Sequence, residues 1–336
     1  MKLNAKALLG ATALALIAGS ASAADLACLI TKNNTNPFFV KMKEGAEAAA
    51  AAAGLDFQAY AGEKDGDAAP QITAIENCMA AGAKGILITA SNDSVGPALK
   101  EARAAGILVI ALDTPLADAE AQDMTFATDN FEAGLRIGKW AAAKMGDTSG
   151  AKIAMLDINK DNISVDVARD TGFLVGFGIE VPDLAVMGSE TDARVVGHES
   201  SDANPEGGLR AMETLLAKEP GINVVYTINE PAAEGAFQAL KAAGKEGQAL
   251  IVSVDGGCPG IASVKSGVIG ATSQQYPLLM AGKGIEAIAA YAKDGTKPVA
   301  SEGLSFFNTG VNLVTDKPAE GVESIDSTKG TELCWG

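Results

Sequence analysis

One repeated phrase constrains this chain most: a short apolar run, a polar turn, then an amphipathic helical stretch closed by glycine. Leu26 to Thr31 is the first apolar run, and Pro37 opens a helical pattern with Phe39, Met42, Ala46, Ala49 and Ala53 on one face, stopped by Gly54. The same reading gives a strand over 55–60, a helix over 68–81, a strand over 86–89, a helix over 93–105 and a strand over 108–112 that ends at Asp113. Strands alternating with helices at this spacing form parallel sheets covered on both faces. After a crossing segment at 124–128 the phrase restarts. It runs through helices over 131–145, 165–177, 205–218, 231–243, 261–266 and 277–293, with strands over 153–156, 194–198, 224–227, 249–254 and 269–273. The tail reads as short extended pieces. The expected fold class is therefore α/β, with two similar lobes of about 150 residues, each large enough for its own core. No Pro/Ser-rich tether lies near residue 128, so the chain crosses between lobes directly, as in a hinge.

Charge and composition narrow the function. Against 26 Lys+Arg stand 42 Asp+Glu, a formal net charge of −16 with no basic cluster to offset it, which excludes nucleic acid and anionic membrane as partners. The single histidine, His198, excludes a multi-histidine metal centre; it follows an apolar stretch and is expected at a strand end or surface without a partner. Lys2 and Lys6, the apolar run Ala7 to Ala18 and then Gly19-Ser20-Ala21-Ser22-Ala23 form a secretory signal peptide, cleaved after Ala23. The run is shorter than the roughly 20 residues of a membrane span. Four cysteines in an exported chain imply two disulfides with three possible pairings. Pairing within each sequence group, Cys28 with Cys78 and Cys258 with Cys334, is the expectation. Nothing resembles C-x-x-C.

In open parallel sheets a ligand sits at the carboxyl ends of the strands. There the sequence places Thr31, Lys32, Asn33, Asn34, Thr35 and Asn36 before Pro37-Phe38-Phe39, then Thr89, Ser91, Asn92 and Asp93, then Asp113 and Thr114. The second half contributes Asp157, Asn159, Lys160 and Asp161, then Asn229 and Glu230, then Asp255 and Gln274-Gln275, with Arg169 near a helix start. Carboxylates accept from hydroxyls, amides donate and accept, and aromatic faces cover the C–H surface of a sugar ring, so the set suits a neutral polyhydroxyl ligand. Each member also has a structural role open to it: Asn36 as a helix cap, the phenylalanines as core, Asp255 before Gly256-Gly257 as turn chemistry. No G-x-S-x-G elbow, phosphate loop or G-x-G-x-x-G fingerprint is present, so binding rather than catalysis is expected.

In order, Asn36-Pro37-Phe38-Phe39, Leu112-Asp113, Ala127-Thr128-Asp129-Asn130, Arg169-x-x-Gly172-Phe173, Asn229-Glu230, Val254-Asp255-Gly256 and Gln274-Gln275-Tyr276-Pro277 resemble the periplasmic monosaccharide-binding proteins of ABC importers. The resemblance covers essentially the whole mature chain, lies in the ribose-binding-like group, and is greatest to fructose-binding components. It implies the type I periplasmic binding fold, no enzyme activity and no cofactor. A monomer would capture a monosaccharide, D-fructose as the first expectation, with ribose, xylose, mannose or another small polar solute as the alternative. It would deliver the sugar to inner-membrane permease subunits, with a chemoreceptor as a further partner. The implied ligand set is Asn36, Phe38, Phe39, Thr89, Asn92, Asp113, Thr114, Thr128, Asp161, Arg169, Asn229, Val254, Asp255 and Gln275. Val254 stands where the ribose-type pattern carries an aromatic, Thr114 where it carries an arginine, and Thr89 where it carries an asparagine. The first two departures argue against ribose itself. The resemblance also implies lobes of 24–128 plus 276–307 and of 129–275 plus 308–336.

Overall fold

The computed structural model describes residues 24–336; the expected signal segment, residues 1–23, lies outside the described residues. The first half runs β1 (Leu26–Thr31), α1 (Pro37–Ala53), β2 (Asp56–Ala61), α2 (Ala69–Ala80), β3 (Gly85–Ile88), α3 (Gly96–Ala104), β4 (Leu108–Leu112) and β5 (Met124–Ala127). The second runs α4 (Asn130–Met145), β6 (Ile153–Asp157), α5 (Ser164–Phe177), β7 (Val195–Ser200), α6 (Pro205–Lys218), β8 (Val224–Thr227), α7 (Glu230–Ala242), β9 (Leu250–Asp255), α8 (Cys258–Ser266) and β10 (Ala271–Gln274). Helix α9 (Pro277–Asp294), strands β11 (Phe307–Asn308) and β12 (Asn312–Val314), and helix α10 (Ser327–Leu333) complete the chain.

These strands form two six-stranded sheets, ordered β11-β5-β4-β3-β1-β2 and β12-β10-β9-β8-β6-β7. All neighbours are parallel except β10 and β12. Alternation within each strand explains how a sheet buries both faces. Ala27 and Leu29 of β1 point into one apolar cluster while Cys28 and Ile30 point into the opposite one. Ile153 and Met155 of β6 divide from Ala154 and Leu156 in the same way. The architecture is two α/β lobes with helices on both faces of each sheet, the fold class read from the alternation.

The chain passes between the sheets three times, after β5, after β10 and between β11 and β12. The crossings are tied to one another. Thr128 Oγ1 donates to the Gly310 carbonyl at 3.1 Å, and the Asn312 amide bonds the Tyr276 hydroxyl. The disulfides are Cys28–Cys78, joining β1 to α2, and Cys258–Cys334, joining the start of α8 to the tail after α10. The tail differs from its extended reading, because α10 is helical. Seven residues are too few to show a period, and its stability comes from the Asp326 carboxylate, which accepts from Lys329 N–H at 2.8 Å, and from packing.

Candidate functional site

The carboxyl ends of β1, β4, β6, β8 and β9 converge on a cavity between the lobes, and the side chains around it come from both. From the first lobe, Asn36, Phe38, Phe39 and Asp113 line it; from the second come Arg169, Asn229 and Asp255, and Gln275 comes from the second crossing. Each is there for a local reason. Asn36 caps α1, its Oδ1 accepting from Phe38 N–H at 3.0 Å, and this turns both phenylalanines into the cavity wall. Phe38 packs edge-on against Phe39 at 5.4 Å and against Trp335 at 5.5 Å between ring centroids. Asn229 caps α7 through Ala232 N–H at 3.0 Å and donates to the Ala203 carbonyl at 3.1 Å.

Arg169 is the centre of the arrangement. It projects from α5, a helix seated unusually close to α4. A Cβ on Gly134 would lie 2.0 Å from the Arg169 carbonyl oxygen, and one on Gly172 would lie 2.2 Å from that of Phe131. Gly138 and Gly176 repeat the contact one turn along. From there the guanidinium reaches across the cleft. Nη2 lies 3.4 Å from Asp113 Oδ1, Nη1 lies 4.0 Å from Asp255 Oδ1 and 3.1 Å from the Ile228 carbonyl, and Nε donates to Asn130 Oδ1 at 2.8 Å. One cation thus links carboxylates from both lobes.

The two carboxylates sit on strained backbone. Asp113 has φ 61° and Asp255 has φ 140°, conformations that L residues seldom adopt and that aim both side chains off their strand ends into the cavity. Thr114 Oγ1 donates to Asp113 Oδ2 at 2.9 Å, and Gln275 Nε2 donates to Asp255 Oδ1 at 2.7 Å. Burial pushes Asp255 up to about 7 although Arg169 and Gln275 favour its charged form. Behind it, Glu230 accepts from Gly256 N–H at 2.9 Å, Gly257 N–H at 3.0 Å and the Thr272 hydroxyl at 2.8 Å, pinning the loop after β9. Burial raises Glu230 to about 8, with the neighbouring Asp255 charge adding to the shift. Gln275 Oε1 is buried without a partner.

Other expected residues lie elsewhere. Val254 is buried in the second lobe's core with Trp140 and Phe173, because its position on β9 faces away from the strand-end cavity. Thr89 is fully buried beneath the loop after β3, where its carbonyl accepts from Gln71 Nε2 at 2.8 Å. Asn92, Thr114 and Asp161 line an adjacent groove between the lobes; Asn92 caps the turn before α3 and donates to the Gly66 carbonyl at 2.8 Å. Thr128 belongs to the crossings. Two charged cavity residues fall outside the implied ligand set: Lys32, nearly fully buried, and Asp65, whose Oδ1 lies 3.7 Å from Lys32 Nζ; apolar Ile158, Val165 and Ile228 complete the wall with Ala203. Both follow first-lobe strands directly or within four residues, so the strand-end rule, applied to β2 as to β1, points at them.

His198 differs from its reading as an unpartnered residue. Nδ1 lies 2.9 Å from Asp157 Oδ2, and Nε2 lies 2.8 Å from Glu190 Oε1. Burial alone would lower its pKa, but the hydrogen bonds it donates to Asp157 and Glu190 prevail and raise it to about 11. The partners come from β6 and from the loop before β7, which sequence spacing does not bring together.

A two-lobed cleft lined this way has a counterpart among known sequences. Residues 27–297 match the family described as the periplasmic binding protein domain. The chain belongs to this family. Its members are solute-binding components and not enzymes. The ribose import binding protein of Haemophilus influenzae is 32% identical over 270 residues, spanning 80% of this chain and 86% of that protein. The D-allose-binding periplasmic protein of Escherichia coli is 27% identical over 288 residues, spanning 83% of this chain and 88% of that protein. Among solved structures, an ABC transporter solute-binding protein from Burkholderia multivorans superposes with TM-score 0.75 at 22% identity, over 88% of this chain and 100% of that one. An ABC transporter periplasmic solute-binding protein from Actinobacillus succinogenes with bound D-allose gives TM-score 0.72 at 24% identity, over 92% of this chain and 99% of that one. The solved structures share the two-lobed fold of this periplasmic binding protein.

Proposed function

We propose that this protein is the periplasmic sugar-binding component of an ABC importer, holding one monosaccharide between its lobes and delivering it to a membrane permease. The observation that carries the reading is the Asp113–Arg169–Asp255 link: hydrogen-bonding groups from both lobes meet in one buried cavity beside aromatic rings. Sugar hydroxyls donate to the two carboxylates and to the unpartnered Gln275 Oε1, and accept from Arg169 and the side-chain amides of Asn36 and Asn229. Phe38 and Phe39 cover the C–H face. A ligand gripped by both lobes shifts the population toward closure, and closure is what a permease reads.

The sugar we favour is an aldose, of the kind named for the ribose-, allose- and apiose-binding relatives. The argument against ribose rests on Thr114 and Val254, and neither lines the cavity: Val254 packs in the core, and Thr114 acts by orienting Asp113. Fructose then has no residue of its own in its support. The test is calorimetric titration of refolded, sugar-free protein against ribose, allose, apiose, fructose, xylose, mannose and glucose. Saturable one-to-one binding of an aldose, with fructose at least tenfold weaker, is expected. Preference for fructose would overturn the specificity, and no binding by folded protein would overturn the sugar reading.

A further inference from the structure

We propose that the second lobe carries a divalent transition-metal site, of the Zn2+ or Mn2+ kind, formed by Asp157 at the end of β6, Asp170 of α5 and the imidazole of His198 on β7, three residues that do not line the sugar cavity. Ligand atoms of the three residues lie within 4.8 Å of one another, and His198 Nδ1 stands 2.9 Å from Asp157 Oδ2 and 3.4 Å from Asp170 Oδ2. Two carboxylate oxygens and one ring nitrogen are a donor set for these ions rather than for Mg2+ or Ca2+, which take oxygen ligands. The chain has one histidine and its four cysteines are bonded in disulfides, so a borderline-soft cation has no competing nitrogen or thiolate site.

Two further observations point to a ligand in this cluster. Asp170 is fully buried and neither of its oxygens has a hydrogen-bond partner, an arrangement that is costly unless a cation or proton satisfies it. Tyr226 of β8 is likewise fully buried with an unpartnered hydroxyl, and the carboxylates that act on it are Asp166, Asp170 and Asp157. The orienting shell is also in place. Glu190 holds Nε2 of His198 at 2.8 Å, which fixes the proton on that nitrogen and leaves Nδ1 as the metal ligand, the carboxylate–histidine–metal arrangement. Asp166, one turn before Asp170 on α5, accepts from Ile158 N–H at 2.8 Å and fixes the loop beyond Asp157. The imidazole is 20% exposed, so the ion has an entry path. On binding, a metal–nitrogen bond replaces the Nδ1–H bond and the proton leaves to solvent.

The single histidine makes the test direct. Untagged mature protein, freed of metal with a chelator, is titrated with Zn2+ and separately with Mn2+, Ca2+ and Mg2+, followed by calorimetry and by the 15N spectrum of the imidazole. One equivalent of Zn2+ or Mn2+ should bind, with a shift, or for Mn2+ a paramagnetic loss, of the Nδ1 resonance. His198→Gln and Asp170→Asn should each weaken binding at least 100-fold, and Glu190→Gln 10- to 100-fold, with circular dichroism confirming that the variants fold. No stoichiometric binding, or binding that His198→Gln leaves unchanged, would overturn the site. Should a variant fail to fold, the wild-type imidazole spectrum decides: if Zn2+ leaves it unmoved, the proposal is wrong.

Discussion

At the scale of single residues, the cavity is an electrostatic balance around Arg169. Its guanidinium faces Asp113 and Asp255 while Lys32 faces Asp65, so two buried cations answer three acids across one cleft. Removing Lys32 leaves Asp65, already raised by burial, without its main counter-charge. Lys32→Ala is expected to weaken sugar binding at least tenfold by calorimetry, while Lys84→Ala at the exposed Lys84–Asp25 pair leaves it unchanged. The acids also set a pH dependence. Asp255 and Glu230 are raised to about 7 and about 8, so the folded chain keeps protons that unfolded carboxylates have lost. Their contribution to stability is full below about pH 4 and is lost as pH rises through those values. The unfolding temperature of sugar-free protein should fall between about pH 5 and about pH 8, and Glu230→Gln should flatten that fall.

At the scale of elements, the strand–helix rhythm was legible because period and punctuation agree. Glycine ends α1, α5, α8 and α9, and the β strands alternate between two apolar clusters. Boundaries slipped at helix starts that carry no hydrophobic period: α7 takes in Glu230 after its Asn229 cap, and α8, with Pro259 in its first turn, begins at Cys258 rather than Ile261. The seating of α4 on α5 left a sequence trace in Gly134, Gly138, Gly172 and Gly176, but only contact geometry shows its use. Because those backbones touch, Gly172→Ala has no room. It should destabilise the protein by about 1–3 kcal/mol in denaturant unfolding and, by moving α5 and Arg169, weaken sugar binding as well.

For the whole molecule, each disulfide closes a loop on one side of the cleft, spanning 50 and 76 residues. Reduction should cost about 2–4 kcal/mol per bond in chemical unfolding. The Cys258–Cys334 bond also fixes Trp335, which donates to the Gln275 carbonyl at 2.7 Å and backs Phe38. Sugar-induced change in tryptophan fluorescence should therefore come from Trp335 and vanish in Trp335→Phe, since Trp140 is fully buried in the second lobe's core. Asn36, Phe38, Phe39, Asp113, Asn229, Asp255 and Gln275 were legible as cavity residues because strand ends in parallel sheets, and the helix starts that follow them, open on one rim, whereas Arg169 of α5 was legible through the motif that carries the resemblance. Lys32 stands among the strand-end residues but outside the implied ligand set, and Asp65 is not singled out, since lysine and aspartate in loops read as solvated charge until burial is known. The partners of His198 were out of reach because separate elements supply them: Asp157 from β6, Glu190 from the loop before β7 and, at 3.4 Å, Asp170 from α5.

The central claim is that one cation and its carboxylates, drawn from both lobes, hold the sugar. It is tested most directly by calorimetric titration of Arg169→Ala beside wild type, using the sugar that wild type binds. The account predicts at least a 100-fold loss of affinity with an unchanged far-ultraviolet circular dichroism spectrum. Near-wild-type affinity in the folded variant would contradict it.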